Sequence, residues 1–326
     1  MKYDILMVGA GITTATLCAK LKHKYKILVI ETRPYIGGNC ADSKIGNNYI
    51  QLHGCHNFHT PDVSIIDFLS KFTTWDDVTC FSVTGEIKQN GQIKRVPFPY
   101  SQETEAITGT LNEQEIINIF FKSYSQKMWG APFEMLPEVI RKKVPKKTGE
   151  KSIYFPGHIR VHPTDGYTRM MEKMFDGVDM LLNADPDYWK HIPADHIFYS
   201  GRPDLIVGEK LRFRSVKFEW RNEEWDADTI CVNFCHDGTP YTRKTSYGMQ
   251  YGIKSRIVSY ETPYEADDEV DPYYPYPEQD FESIKAKVQS QWPNLRLVGR
   301  LGTMEYMDIW QAVSETLNIS KNYLQK

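Results

Sequence analysis

The residues best suited to chemistry stand at opposite ends of the chain. Near the start, Val8-Gly9-Ala10-Gly11 closes the apolar run Tyr3-Asp4-Ile5-Leu6-Met7-Val8. A short apolar run ending in glycine is the pattern of a buried parallel strand. Gly9 permits a tight turn, and Gly11 lets the backbone approach an anion. A helix opening near Ile12 and Thr13 then turns its free N–H groups and positive dipole end toward phosphate. A second strand, Lys26-Ile27-Leu28-Val29-Ile30, ends at Glu31, twenty residues after Gly11. An acidic side chain at that place holds a ribose hydroxyl pair. Strand, helix and Glu31 in register predict a dinucleotide-binding unit. Thr14 stands where a third glycine would be, so helix and strand are expected to pack slightly less closely. Near the other end, Gly299-Arg300-Leu301-Gly302 is followed by Tyr306, Met307 and Asp308. That late return brings an arginine, a tyrosine and a carboxylate to the same cofactor.

Four stretches must position these residues. Residues 1–60 alternate strand, helix and strand around the glycine loops. Asp62–Phe72 reads as a short helix, and strand-like text at Phe81–Val83 and Ile93–Val96 flanks the turn Asn90-Gly91, a hairpin signal. Residues 101–150 read as helical: Asn112 and Glu115 form a capping box, and Ile116, Ile119, Phe120 and Tyr124 follow at helical spacing. From about 151 to 307 short strands dominate, at 197–200, 211–220, 229–234 and 257–261. A helix over 165–175 interrupts them, with Met170, Met171 and Met174 as packing residues, and another helix closes the chain from about Ile309. The acidic, aromatic, proline-rich stretch 264–280 reads as a loop.

Bulk properties set the outer limits. A chain of 326 residues buries a large core and forms one or two domains. A net charge of −3 gives no global field toward nucleic acid or membrane. No apolar run is long enough to span a bilayer, and Met1 leads directly toward a strand, so a cytoplasmic protein without a leader is expected. The cysteines Cys18, Cys40, Cys55, Cys80, Cys231 and Cys235 have no framework spacing. Cys231, Cys235 and His236 do not make a zinc site, so free thiols and no metal are expected.

Whether the dinucleotide is NAD or FAD turns on Arg33-Pro34-Tyr35-Ile36-Gly37-Gly38-Asn39. An arginine before a glycine pair resembles the segment many flavoproteins carry there, which favours FAD. The resemblance then extends along nearly the whole chain, to bacterial UDP-galactopyranose mutase. Its signatures run in order: Gly9-Ala10-Gly11, Gly37-Gly38-Asn39, Gly54-Cys55-His56-Asn57-Phe58-His59-Thr60 and Val96-Pro97-Phe98-Pro99. Then come Tyr124-Ser125-Gln126-Lys127-Met128-Trp129-Gly130, Pro163-Thr164-Asp165-Gly166-Tyr167-Thr168, Pro240-Tyr241-Thr242-Arg243, Pro272-Tyr273-Tyr274-Pro275 and Gly299-Arg300-Leu301-Gly302 with Tyr306 and Asp308. Each is weak alone; their order and spacing carry the resemblance.

What the resemblance implies is specific. The fold is α/β: an FAD-binding Rossmann-like domain with an inserted helical domain and an antiparallel sheet domain. The FAD core spans 1–100, completed by about 281–326; the helical substrate-binding insertion spans 101–150, and the mixed, antiparallel-sheet substrate region 151–280. The implied activity is interconversion of UDP-galactopyranose and UDP-galactofuranose in cell-surface polysaccharide synthesis. Reduced flavin N5 attacks the anomeric carbon, UDP leaves, the adduct opens to an iminium and recloses, and UDP returns, with no net oxidation. FAD contacts fall to Gly9, Gly11, Ile12, Thr13, Glu31, Arg33, Gly38, Asn39, His56, His59, Arg300, Tyr306, Met307 and Asp308. Arg243 matches the clamp on the diphosphate, where a planar fork suits the task. Tyr154, Tyr274 and Tyr306 match tyrosines on the same phosphates. Phe120, Tyr124 and Trp129 match the face that holds uracil and sugar, and Phe155 joins the substrate residues. His56, Arg243 and Lys143 are the candidate catalytic residues.

The departures fall around the substrate. The family's second diphosphate arginine lands on Lys143, which supplies charge but no fork; a shift of two would bring Arg141 there. Lys244-Thr245-Ser246 follows Arg243 where apolar residues and a glutamate are usual, and no acidic partner stands near Arg243 in sequence. The basic run Arg141-Lys142-Lys143-Val144-Pro145-Lys146-Lys147 keeps a wider polyanion open. The alternative is thus a flavoenzyme of the same fold acting on another nucleotide sugar, or on a modified nucleotide or DNA-linked substrate. A UDP-sugar is the expected partner, and a homodimer is left open.

Overall fold

The structure, a computed structural model, describes residues 2–46, 48–77, 83–142, 147, 149–225, 228–251, 255–267, 271–276 and 280–325. A five-stranded sheet, parallel throughout, lies at the base, ordered 179–181, 27–30, 3–8, 194–199 and 295–297. Every residue of Ile27–Ile30 is buried, as a strand covered on both faces requires. In Tyr3–Val8 the period of two sorts the side chains. Ile5 and Met7 join one core with Leu17, Val29, Met170, Met174 and Val313. Leu6 joins the other core with Ile30, Trp189, Phe213 and Val288. Each such side chain contributes roughly 2 kcal/mol by leaving water, so polar substitution at Leu6 or Met7 would break one layer. The helices Ile12–Leu21, Gly166–Phe175 and Ile309–Leu324 cover the first face. The methionines of the middle one are core, as their spacing suggests.

A seven-stranded sheet runs in the order 274–275, 213–222, 257–265, 243–246, 231–234, 83–89, 92–98. Its pairing is antiparallel except that 231–234 runs parallel with 83–89, in keeping with the mixed, antiparallel-sheet region expected. The segment boundaries need correction. The hairpin 83–98, placed within the cofactor core by sequence, belongs to this second sheet. The strands 179–181 and 194–199, placed within the substrate region, complete the parallel sheet. The reason is topological: parallel strands need crossovers, so their sequence neighbours lie far off. Asn90 and Gly91 have φ of 52° and 76°, the pair of left-handed residues that the hairpin turn demands.

Helices Gln102–Thr108, Glu113–Ile116, Ser123–Trp129 and Glu138–Arg141 bear out the helical reading of their region among the described residues. The Asn112 side chain accepts from the Glu115 N–H at 3.0 Å, and the Glu115 carboxylate accepts from the Asn112 N–H at 2.8 Å. Residues 117–122 form a π-helical turn. Phe120 and Phe121 there pack on Ile87, Val96, Phe98 and Tyr100, which joins the helices to the second sheet. At the end of Ser123–Trp129, Arg214 donates to the carbonyls of Met128 at 2.8 Å and Lys127 at 3.1 Å, satisfying the orphan acceptors of the last turn. A small sheet of 58–60, 159–163 and 75–77 sits between the two large ones in sequence, with His59 directly opposite Arg160. None of the described helices is long and apolar enough to cross a membrane.

Candidate active site

The glycine turn after Tyr3–Val8 is built as the sequence requires. Gly9 has φ of 103°, and a Cβ there would fall on the Ser200 hydroxyl. Gly38 has φ of 56°, and its Cβ would come within 3.0 Å of the Gly11 Cα. Two backbones thus approach as closely as only glycine allows, and Gly11 bridges to Gly37. Gly11 caps the helix Ile12–Leu21 without a side chain, leaving first-turn N–H groups for a ligand. Thr14, in place of the third glycine, is fully buried and donates to the Gly9 carbonyl at 2.7 Å. Buried Glu31 accepts from the N–H groups of Ala10 and Arg33, both at 2.8 Å. Gly9, Gly11, Gly37, Gly38, Glu31 and Arg33 line a cavity of about 300 Å³ together with Ile12, Thr13, Asn39, His56, Arg300, Met307 and Asp308. Arg33 is fixed by Asp271 at 2.8 Å and by Asn39 at 3.0 Å. A cradle that excludes a Cβ, a helix N-terminus and a carboxylate beside it fit a dinucleotide cofactor.

The late return does meet this turn. The Arg300 guanidinium donates to the Met307 carbonyl and lies against the rings of Tyr274 and Tyr306, at 5.4 and 5.2 Å. Those two rings stack on each other at 5.8 Å. On the neighbouring loop, His56 Nδ1 lies 2.7 Å from the Gly54 carbonyl. A carbonyl only accepts, so Nδ1 carries the proton and Nε2 keeps its lone pair. Burial, then the positive Arg300, pull His56 down to about 4, so it is neutral near pH 7.

A second cavity of about 580 Å³ is lined by Cys55, His59, Phe98, Tyr154, Phe155, Arg160, Asn233, Arg243 and Tyr306, among others. Cys55 and His56 are sequence neighbours that face different cavities, as are Tyr306 and Met307. The segments 55–59 and 306–308 are therefore the shared wall. His59 stacks on Phe155 at 3.8 Å and lies 3.9 Å from Asp308 across that wall. Phe155 holds this place with φ of 53°, a strained value for a bulky residue.

Arg243 is a fixed cation of the second cavity. It donates to Asn233 Oδ1 at 3.3 Å and to the Tyr124 hydroxyl at 3.4 Å, and Glu261 Oε1 lies 3.8 Å away. Pairing of 243–246 with 257–265 puts Arg243 directly opposite Glu261. Glu261 is buried, and its Oε1 has no hydrogen-bond partner. Burial pushes its carboxyl up and Arg243 opposes that shift. The loop leading to Arg243 is held by Lys127, whose ammonium donates to the carbonyls of Phe234, His236, Thr239 and Tyr241 at 2.9, 2.9, 3.3 and 2.6 Å.

Three expectations need correction. Phe120 is fully buried among Phe98, Tyr100 and Phe121, so it is packing and not a substrate face. Its helical spacing marked the apolar stripe, which here faces the sheet. Trp129 is buried against Phe133, Tyr274 and Tyr276, a support for the tyrosines that does not line the cavity. His59 lines the second cavity and not the first. Lys143 and Lys146 lie outside the described residues, as does Cys80. The other cysteines are free thiols, and no cluster of three metal-ligating side chains occurs among the described residues. Sequence reasoning missed Asn233, Glu261, Arg160 and the role of Lys127, because no local spacing joins them to Arg243.

Comparison with known proteins bears on this geometry. A family profile described as UDP-galactopyranose mutase matches residues 119–306, more than half of the chain. The chain belongs to the UDP-galactopyranose mutase family. A profile for an NAD(P)-binding Rossmann-like domain matches residues 7–72, the glycine turn and its surroundings. A probable UDP-galactopyranose mutase of Klebsiella pneumoniae is 26% identical, over 98% of this chain and 94% of that one. A dTDP-fucopyranose mutase of Escherichia coli is 23% identical, over 98% of each. The crystal structure of a reduced UDP-galactopyranose mutase aligns with a TM-score of 0.70 at 13% identity, over 99% of this chain and 96% of that one. That likeness establishes the fold. The UDP-galactopyranose mutase family is one of isomerases, and the chain is an enzyme of that class.

Proposed function

We propose that this chain is an FAD-dependent mutase interconverting UDP-galactopyranose and UDP-galactofuranose. The observation that carries the reading is the shared wall: a dinucleotide cradle on one side and, on the other, a cavity with Arg243. When bound, a reduced flavin supplies a nucleophilic N5 to the anomeric carbon, so the ring changes size without net oxidation. Gly9, Gly11, Ile12, Thr13, Glu31, Arg33, Gly38, Asn39, Arg300, Met307 and Asp308 hold that cofactor. Neutral His56 offers an acceptor nitrogen at the same cavity and holds no positive charge there. His59 lies against the wall with Phe155.

Arg243 grips the diphosphate, with Tyr154, Tyr274 and Tyr306 as hydroxyl donors. Burial holds the Tyr124 and Tyr274 hydroxyls in their protonated form, so they donate throughout the neutral range. Arg243 is already oriented by Asn233 and Tyr124, so little side-chain freedom is lost when UDP departs and returns. Lys143 is proposed as a further cation of this grip. The dTDP-fucopyranose mutase among the relatives supports a second reading, a different nucleotide sugar for the same ring change.

The test is incubation of the dithionite-reduced protein with UDP-galactopyranose and with dTDP-fucopyranose, followed by chromatography of the products. UDP-galactofuranose formed only by the reduced protein, with no stoichiometric consumption of reductant, is expected. Turnover of the dTDP sugar alone would move the assignment to the second reading. Consumption of one reductant per product would overturn the mutase reading.

A further inference from the structure

We propose that Arg160 is an additional substrate-binding residue, the second fixed cation for the diphosphate of the nucleotide sugar. The proposal rests on the nucleotide-sugar reading above. Its starting point is charge balance. A sugar nucleotide carries one negative charge on each of its two phosphates. Arg243 faces Glu261 at 3.8 Å, so that pair leaves little net charge for the ligand. A second guanidinium in the same cavity complements both phosphates.

Arg160 has the required placement. It lies on the strand Ile159–Pro163 directly opposite His59, and opposite residues of an antiparallel pair share a face. His59 in turn stacks on Phe155 and lies near Asp308, so Arg160 sits at the wall between the two cavities. It lines the cavity that holds Arg243, Tyr154 and Tyr306.

Its hydrogen bonding is incomplete in a way that points to a ligand. Arg160 Nε is buried without a partner. Nη1 makes one long bond, 3.4 Å, to the Tyr154 carbonyl. No described carboxylate lies within ion-pair distance of Arg160, whereas buried Arg202 and Arg214 pair with Asp204 and Glu265. A buried guanidinium nitrogen without an acceptor is unfavourable by itself. A phosphate oxygen from the ligand satisfies it, and a planar fork takes two such oxygens together. Sequence offered no sign of this, since Arg160 stands apart from the recognised motifs.

The experiment compares affinities for UDP and uridine, measured by NMR titration on the flavin-loaded protein. Arg160→Ala is expected to raise the Kd for UDP by about 10- to 100-fold and to leave that for uridine within about twofold. In turnover, KM for the UDP-sugar should rise more than kcat falls. Arg160→Lys should recover part of the UDP affinity, restoring charge without the fork. If Arg160→Ala fails to fold, the same comparison is made between Arg160→Lys and Arg160→Gln, and the glutamine variant should be the weaker for UDP alone. Unchanged UDP affinity would overturn the proposal, as would parallel weakening for UDP and uridine, which marks a structural role. A wild-type protein that ignores UDP would overturn the nucleotide-sugar reading itself, a different result from either.

Discussion

Replacing Arg243 with methionine should leave Glu261 as a buried, unpaired carboxylate. Breaking a buried pair by removing one partner destabilises by about 3–5 kcal/mol. Here the Arg243 side chain keeps 29% of its exposure and Glu261 9%. Residual solvation therefore favours the lower end, about 3 kcal/mol. The pH dependence has a definite sign. Burial already raises the Glu261 carboxyl and Arg243 opposes it, so removing Arg243 raises it further. The unfolded chain gives up this proton near pH 4.3, while the folded variant retains it to higher pH. The unfolded state thus binds fewer protons across that window, and stability of the variant falls as pH rises through it. Urea denaturation followed by circular dichroism at pH 5 and pH 8 should show a larger deficit at pH 8. The double variant Arg243→Met/Glu261→Gln should regain most of that loss, because no charge remains to bury. A deficit equal at both pH values, with no recovery in the double variant, would refute the reasoning.

Two further predictions concern the fold around the cofactor. Burial pulls His53, His56 and His162 down to about 4 from 6.5. Each is protonated first in the unfolded chain, so stability should decline as pH falls from about 6.5 toward 4, by up to about 3 kcal/mol per histidine; a flat unfolding profile across that window would contradict it. Gly38→Ala places a Cβ 3.0 Å from the Gly11 Cα at a φ of 56°, so the variant should fold yet emerge from purification depleted of flavin, and full flavin absorbance would count against the cradle.

What sequence revealed and what it concealed follow from how far each cause reaches. The phosphate turn lies within the first forty residues: Gly9, Gly11, Glu31 and Gly38 act through backbone angles and one strand-helix-strand unit, which local spacing encodes. The Asn90-Gly91 turn and the Asn112-Glu115 box are local in the same sense. Glu261 is different. It faces Arg243 only because two strands pair in one register, and nothing in either strand alone states that register. Arg160 escaped notice for the same reason, since its neighbour His59 is brought to it by pairing across a hundred residues.

The segment 124–130 shows why a motif can be recognised while its physics is misread. Sequence treats Tyr124 and Trp129 as one aromatic face, yet the helix sends them to different tasks. Tyr124 meets the Arg243 guanidinium, whereas Trp129 packs beneath Tyr274 and Tyr276. Between them, Lys127 donates to four backbone carbonyls of the loop that leads into Arg243. Backbone acceptors carry no sequence signature, so such a residue reads as an ordinary surface lysine. A compact ammonium meets carbonyls converging from several directions better than a planar fork does. Two cations of different kinds thus share this corner: Arg243, whose fork lines the cavity, and Lys127, whose point charge fixes the loop that leads to it.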